Sequence, residues 1–472
     1  MDDNVLRRTG HFHFSGIGGS GMLPLAAIVR ASGATVSGSD RALDAGRLAS
    51  KFDYLRSLGI ELFAQDGSGL GKSSTLVTSA AVEGHVPDVV RARELGLPHL
   101  TRPQLLAELL NAAGTSVAVG GTSGKSTVTG MIGWILHALD RHPTVMNGAV
   151  MRNFVSADAP FASALVGDPG LFVSEVDESD GSIALYRPSV AVLGNISLDH
   201  KSMDELRALF GGFLAAAGKA VVNLDDPEAR ALAAGIAPEK LIGFGFDSPG
   251  AALAARNLKL EENAAAFDLT VADQRHIVRL AIPGRHNALN ALAALGAVHA
   301  LGIPLDAAVE AIARFAGLKR RFETVGVAGG ITVIDDFAHN PDKIAATLAT
   351  LAARPGRVLL MFQPHGFGPI AKMGEELAQT FVRGMREGDK LYLPDPVYQG
   401  GTVDRSRGSD WLAQAIRTAG GQADHVAERA RIGDALMGEA RAGDRVVILG
   451  ARDDTLSEFA ADLVHRLDQR GA

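Results

Sequence analysis

The chain has 472 residues, 47% apolar and 21% charged, too long for one hydrophobic core and too apolar for disorder. About two to four α/β domains are expected, and a net charge of −7 with no long basic run argues against a nucleic-acid or anionic-membrane partner. Cysteine is absent, which excludes disulfides, thiolate metal sites and a cysteine nucleophile. The polar stretch Met1–Gly10 lacks the apolar centre of a signal peptide and no run reaches membrane-spanning length, so a cytoplasmic protein is expected.

The first segment reads as a strand, His11 to Ser15, then Gly16-Ile17-Gly18-Gly19-Ser20-Gly21 and a helix from Met22 to Ser32. A second strand, Thr35 to Gly38, leads into Ser39-Asp40, an acidic residue about twenty positions after the turn. Strand, glycine turn and helix make a diphosphate cradle, so Gly16, Gly18, Gly19, Gly21, Ser39 and Asp40 are candidate ligands. Taken literally the fingerprint predicts NAD and an oxidoreductase; the same geometry serves the diphosphate of a UDP-sugar. A strand at Ser74 to Ser79 and helices at Val86 to Leu95 and Arg102 to Ala112 complete a first domain over 1–112.

The second segment opens with the apolar run Ser116 to Val119, then Gly120-Gly121-Thr122-Ser123-Gly124-Lys125-Ser126-Thr127, then a helical stretch from Val128 to Leu139. This is a P-loop shortened by one position, with Val119 where the usual spacing has glycine. Backbone N–H groups of Gly121, Thr122, Ser123, Gly124 and Thr127 would face phosphate, Lys125 would reach the terminal phosphates, and the Ser126 hydroxyl would ligate Mg²⁺. A turn capped by Ser123 is the competing reading.

Strands at Leu171 to Ser174 and Val190 to Leu193 run into Glu175-Val176-Asp177-Glu178-Ser179-Asp180 and Gly194 to His200. Ligands in open α/β sheets sit beyond the carboxyl ends of strands, so one crevice gathers Lys125, Glu175 and His200. Glu175 and His200 are candidates for a second Mg²⁺, whereas Asp177, Glu178 and Asp180 read as structural acids or acids opening a helix. A helix from Met203 to Ala217, a strand at Ala220 to Val222, a β-rich stretch over 240–283 and a helix from Asn287 to Leu301 complete a domain over 113–318.

The third segment, 319–472, has strands at Ile331 to Ile334, Val358 to Phe362, Lys390 to Leu393 and Arg445 to Leu449, each followed by a helix. Arg321 and Asp335-Asp336 near its start suggest closure over a nucleotide, with a buried ion pair as the alternative for Arg321.

These motifs together resemble the Mur ligase family, the ATP-dependent amide-forming enzymes of peptidoglycan synthesis. The likeness rests on the shortened P-loop, Glu175 within E-V-D-E-S-D, Asp199-His200, Gly284-Arg285-His286-Asn287-Ala288-Leu289-Asn290, Arg320-Arg321-Phe322-Glu323 and Asp335 to Pro341. It implies three domains: a Rossmann-like UDP-binding domain, a central P-loop ATPase domain with a parallel sheet, and a C-terminal Rossmann-like α/β domain that closes over ATP and binds the amine. It implies that Lys125 holds phosphate, that Ser126, Glu175 and His200 bind two Mg²⁺ ions, and that Asn287 with Asn290 faces adenine. Arg321 would meet the γ-phosphate, Asp336 the ribose, and His339 and His365 the amine substrate. The glycine turn would then hold UDP-N-acetylmuramate instead of NAD.

The amine would be an amino acid, L-alanine by default, or a short murein peptide. The helix after Asp199-His200 contains no lysine, which agrees with the alanine-adding members. Against this, Gly366-Phe367-Gly368-Pro369 follows Gln363-Pro364-His365 where those members carry arginines suited to a carboxylate. Asp335 to His339 and Leu318 to Arg321 look nearer the ligase that recycles a murein tripeptide. A nucleotide-binding pseudo-enzyme is the alternative of another class.

Overall fold

Short apolar strands alternating with amphipathic helices can bury both faces of a strand only in parallel sheets covered by helices. The computed structural model describes residues 10–80, 82–198, 201–246, 248–397, 404–451, 453 and 455–471, and forms three such sheets. The chain divides into two compact units, one of residues 1–259, 264–282 and 286–317, the other of 260–263, 283–285 and 318–472.

In the first unit β1 (His11–Ser15), β2 (Thr35–Ser39), β3 (Glu61–Phe63), β4 (Ser74–Thr78) and β5 (His99–Thr101) form a parallel sheet in the order β3-β2-β1-β4-β5. The order reverses at β1, so the glycine turn after it lies at the topological switch point where such sheets bind ligands.

The second sheet of this unit holds β6 (Thr115–Gly120), β7 (Pro143–Met146), β8 (Ala164–Leu165), β9 (Asp168–Glu175), β10 (Val190–Leu193), β11 (Lys219–Asn223), β12 (Leu241–Phe246), β13 (Leu253–Leu260), β14 (Ala265–Val271) and β15 (Gln274–Leu280). Its order is β15-β14-β13-β12-β11-β10-β6-β9-β7-β8, with β6 parallel to both β10 and β9. The loops after β6, β9 and β10 therefore leave one edge side by side. At the far edge β15 alternates buried His276, Val278 and Leu280 with exposed Arg275, Ile277 and Arg279. The two sheets share one apolar core, in which Phe12, Phe14, Leu105 and Leu110 join Phe172, Ile183, Phe210 and Phe213.

In the second unit β16 (Glu323–Ala328), β17 (Ile331–Asp336), β18 (Val358–Gln363), β19 (Lys390–Leu393), β20 (Ala423–His425) and β21 (Arg445–Gly450) form a sheet in the order β16-β17-β21-β18-β19-β20. Only β16 is antiparallel to its neighbour. Fully buried Leu360, Val447 and Leu391 line one face, and Leu359, Ile448 and Leu456 belong to the core of the other.

Candidate active site

The first unit carries two glycine loops. In the turn after β1, the Gly16 and Ile17 amides donate to Ser39 O at 2.8 and 3.0 Å. The Gly18 amide donates to Asp40 Oδ2 at 2.8 Å, while Asp40 Oδ1 accepts from Ala42 N and caps the short helix Arg41–Asp44. The Lys51 ammonium donates to Gly18 O at 3.1 Å. Asp40 thus shapes the turn in this structure, and Ser39 Oγ is turned inward to Asp88, which also accepts from Ser15 Oγ and Gly67 N. Asp88 is fully buried; burial raises its pKa, but His13, Ser39 and Ser15 outweigh this and hold the carboxyl below the ordinary value.

Gly21 lies against the Arg102 side chain, since a Cβ there would meet Arg102 Cδ at 3.1 Å. Arg102 opens the helix Arg102–Ala112 and its charge is felt by Asp177 on the neighbouring sheet's loop. Arg102 therefore sets a guanidinium between the turn and the acidic segment after β9. Sequence reading passed over Arg102 and Asp88, each an isolated charge far in sequence from the turn it serves.

The loop after β6 is tied to the segment after β10. Thr122 N donates to Asn195 O at 3.0 Å, Ser123 N to Asn195 Oδ1 at 2.9 Å, and Asn195 Nδ2 to Ser123 O at 3.0 Å. Gly124 has φ of +86°, and a Cβ there would lie 2.5 Å from Asn290 Oδ1. Only glycine fits that conformation and that approach. Asn290 donates to Asn287 Oδ1 at 3.3 Å, so both asparagines of the helix Arg285–Ala300 stand beside the loop.

The helix after the loop begins at Lys125, earlier than the apolar run from Val128 suggested, because polar residues occupy its first turn. Its N-terminal amides offer the partial positive charge that suits phosphate. Ser123 Oγ is buried with no hydrogen-bond partner, an acceptor-donor ready for a phosphate oxygen.

The Lys125 ammonium donates to Gly121 O at 2.7 Å and to Glu178 Oε2 at 2.8 Å. Burial disfavours its charge, but Glu178, Asp177 and Glu175 more than compensate, and its pKa lies above the ordinary lysine value. Glu178, expected as a structural acid, serves as the lysine's hydrogen-bonded ion-pair partner. Asp177 and Asp180 accept from Ser179 N and Ser182 N and shape the turn into the 3₁₀ helix Ser182–Leu185.

Ser126 Oγ donates to Glu175 Oε2 at 2.6 Å, so these two predicted metal ligands meet. Asn147 Nδ2 donates to Ser126 O, and a Cβ on Gly148 would lie 2.0 Å from Glu175 Oε1. The Asn147-Gly148 pair after β7 thus leaves room for the Glu175 carboxylate. His200 and Asp199 lie outside the described residues.

In the second unit the candidates gather at the carboxyl ends of β17 and β18. Arg320 and Phe322 have φ of +58° and +50°, left-handed values that cost about 1–3 kcal/mol each for a side chain. Between them Arg321 stacks on the Phe337 ring, 4.4 Å from its centroid, and donates to Arg320 O at 3.0 Å. The neighbouring Arg320 forms a buried ion pair. Arg320 pairs with Asp335 at 3.3 Å and donates to Gly450 O at 2.8 Å and Asp453 O at 3.0 Å.

Asp336 is buried and accepts from Thr347 Oγ1. Burial pushes its pKa up, against the opposing effects of Thr347 and Arg321. His339 and His365 meet edge to face, ring centroids 5.2 Å apart. His339 Nδ1 lies 2.8 Å from Phe337 O, and a carbonyl only accepts, so Nδ1 carries the proton and Nε2 is the acceptor. Burial, aided by Lys343, holds its pKa far below the ordinary value, so the ring is neutral at pH 7.

A P-loop sheet, a glycine turn at a switch point and a third sheet define a nucleotide-dependent enzyme of the Mur ligase class. Comparison agrees: the Mur ligase family catalytic domain matches residues 11–113, the Mur ligase middle domain 119–298, and the Mur ligase glutamate ligase domain 320–452. UDP-N-acetylmuramate–L-alanine ligases of Caulobacter sp. strain K31 and Agrobacterium fabrum strain C58 are each 34% identical to it. The alignments cover 96% and 97% of this chain and 95% and 97% of theirs. The chain belongs to the Mur ligase family and is an ATP-dependent, ADP-forming ligase.

Among solved structures, a UDP-N-acetylmuramate–alanine ligase of Thermotoga maritima has the same fold, with TM-score 0.79 at 24% identity over 98% of this chain and 99% of that one. A murein peptide ligase of Psychrobacter arcticus gives TM-score 0.70 at 25% identity over 97% and 98%. No helix among the described residues is long and apolar enough to cross a membrane.

Proposed function

We propose that this chain joins the amino group of L-alanine to the carboxylate of UDP-N-acetylmuramate, a step of peptidoglycan synthesis. The observation that carries the reading is full-length similarity to ligases named for that reaction, with Lys125, Ser126 and Glu175 assembled at the end of β6. The glycine turn after β1 takes the UDP diphosphate, with Arg102 supplying positive charge beside it. The loop after β6 takes the ATP phosphates on Lys125, Ser123 and the helix N-terminus, with Asn287 and Asn290 toward the adenine. Arg321 is assigned to the γ-phosphate, Asp336 to the ribose, and His339 with His365 to the amine. Dependence on ATP and a UDP-activated sugar suits a cytoplasmic enzyme.

Ser126 Oγ and Glu175 Oε2, within hydrogen-bond reach of each other, are hard oxygen donors of the type Mg²⁺ prefers, and they would hold it with His200 as a further ligand. When bound, the ion neutralises phosphate charge. The muramyl carboxylate oxygen attacks the γ-phosphorus and ADP leaves, giving an acyl phosphate. The amine attacks the acyl carbon, and phosphate departs from the tetrahedral intermediate. The residues here contribute position and charge, Lys125 stabilising the phosphoryl group in transit and neutral His339 Nε2 accepting a hydrogen bond from the amine.

A second reading, ligation of a murein peptide, is favoured by Gly366 to Pro369 in place of an arginine pair and by the fold likeness to the murein peptide ligase. The test is phosphate release from ATP with UDP-N-acetylmuramate across L-alanine, glycine, L-serine and murein di- and tripeptides, with product masses. Release with L-alanine and the matching mass gain supports the proposal, and release with a peptide alone replaces it with the second reading.

A further inference from the structure

Glu178 lies just past β9, in the turn that Asp177 shapes, and its side chain is 5% exposed. A buried carboxylate with no partner is costly, and Glu178 finds its partner in the Lys125 ammonium. The Lys125 ammonium has three N–H donors. One goes to Gly121 O at 2.7 Å and one to Glu178 Oε2 at 2.8 Å. Two fixed directions on a tetrahedral nitrogen determine the third. Gly121 O belongs to the glycine loop itself, so the remaining N–H is oriented by that same loop.

We infer that Glu178 is a positioning residue for ATP, fixing Lys125 Nζ so that its third N–H is aimed before the nucleotide arrives. This rests on the reading of Lys125 as the phosphate ligand. A free lysine on a four-carbon stem would have to be ordered during each turnover, and geometric precision of this kind is worth large factors in phosphoryl transfer. The arrangement has a counter-effect. The Glu178 charge offsets that of Lys125 and so weakens ground-state attraction for the anionic nucleotide. Glu178 therefore trades nucleotide affinity for correct placement in the transition state.

The two effects separate in Glu178→Gln, which keeps size and loses charge. Titration calorimetry with Mg²⁺ and a non-hydrolysable ATP analogue should show affinity rising about threefold to tenfold, while kcat falls about tenfold to a hundredfold. Glu178→Asp, which keeps charge but withdraws the oxygen by one methylene, should leave affinity near wild type and still lower kcat. Unchanged or weaker analogue binding by Glu178→Gln, with kcat retained or reduced only in step with the folded fraction, overturns the inference. Lys125→Ala is the control for the underlying reading. If it binds the analogue as wild type does, the phosphate role of Lys125 fails; if it loses binding while Glu178→Gln is silent, only the Glu178 role fails.

Discussion

The two glycine loops of the first unit are built on one plan and charged in opposite ways. Each follows a central parallel strand, and each is fastened by a polar side chain from the next strand's loop: Asp40 for the turn after β1, Asn195 for the loop after β6. The fastener of the first is an anion and its cations, Lys51 and Arg102, come from distant helices. The fastener of the second is neutral, and its cation, Lys125, stands in the loop's own sequence. A ligand's charge can thus be met by contiguous residues or by assembled ones, and only the contiguous solution is visible in a motif.

The largest effect should come from removing the contiguous cation. Lys125→Ala should lower kcat/KM by about a thousandfold or more, with UDP-sugar affinity by calorimetry staying within about threefold. Parallel loss of both would show that the loops do not serve separate ligands. The assembled cation should give the converse pattern. Arg102→Ala should raise KM for UDP-N-acetylmuramate about tenfold to a hundredfold, the worth of a charge-assisted contact, and leave ATP-analogue affinity within about twofold. An unchanged KM would remove Arg102 from the site.

A smaller contrast lies in the backbone. Gly124→Ala meets both the left-handed φ and Asn290 at 2.5 Å, whereas Gly16→Ala meets φ of +79° with its nearest atom at 3.6 Å. Thermal unfolding should show the first costing about 2–3 kcal/mol and the second about 1–2 kcal/mol, and equal costs would deny Asn290 its place against the loop. At neutral pH the smallest effect is on pH dependence, which shows only on acidification. Burial lowers the His286 pKa to about 4, so the unfolded chain takes up this proton first as pH falls below 6.5. Stability from this group is present above pH 6.5 and is lost toward pH 4, at up to about 1.4 kcal/mol per pH unit. His286→Gln should flatten that part of the slope; an unaltered slope would mean the ring is solvated.

Much of the fold was legible because it rests on strands buried on both faces. Val190–Leu193 and Lys390–Leu393 have the predicted bounds, as does the helix Arg102–Ala112, which Thr101 and Gln104 close with a capping box. Elements escaped where that signal fails. β16 is a half-exposed antiparallel edge containing Gly326, and β7 with β8 forms a short edge beside the ten-stranded sheet's interior. The helix Leu305–Ile312 covers β15 with only eight residues.

At the site, Lys125, Ser126 and Glu175 could be singled out because they sit where parallel strands end. Glu178 could not, because an acidic run does not reveal which carboxylate turns inward. The different surroundings of Arg320 and Arg321 were equally hidden. Two adjacent arginines are equivalent in a sequence until left-handed backbone at 320 and 322 sends one into the core and the other onto Phe337.

The ten-stranded sheet ends in open edge strands, and an open edge is a template on which another chain can add a strand. On β15 the outward positions Arg275 and Arg279 flank the exposed Ile277, so a second copy docking in register would bring like charges together. Arg275 also pairs with Asp268 of the neighbouring strand at 2.6 Å, and charged side chains of this kind on an edge disfavour strand addition. Replacing both with valine would leave a β-branched, apolar row along that face of the edge strand and should raise aggregation as the protein concentration rises.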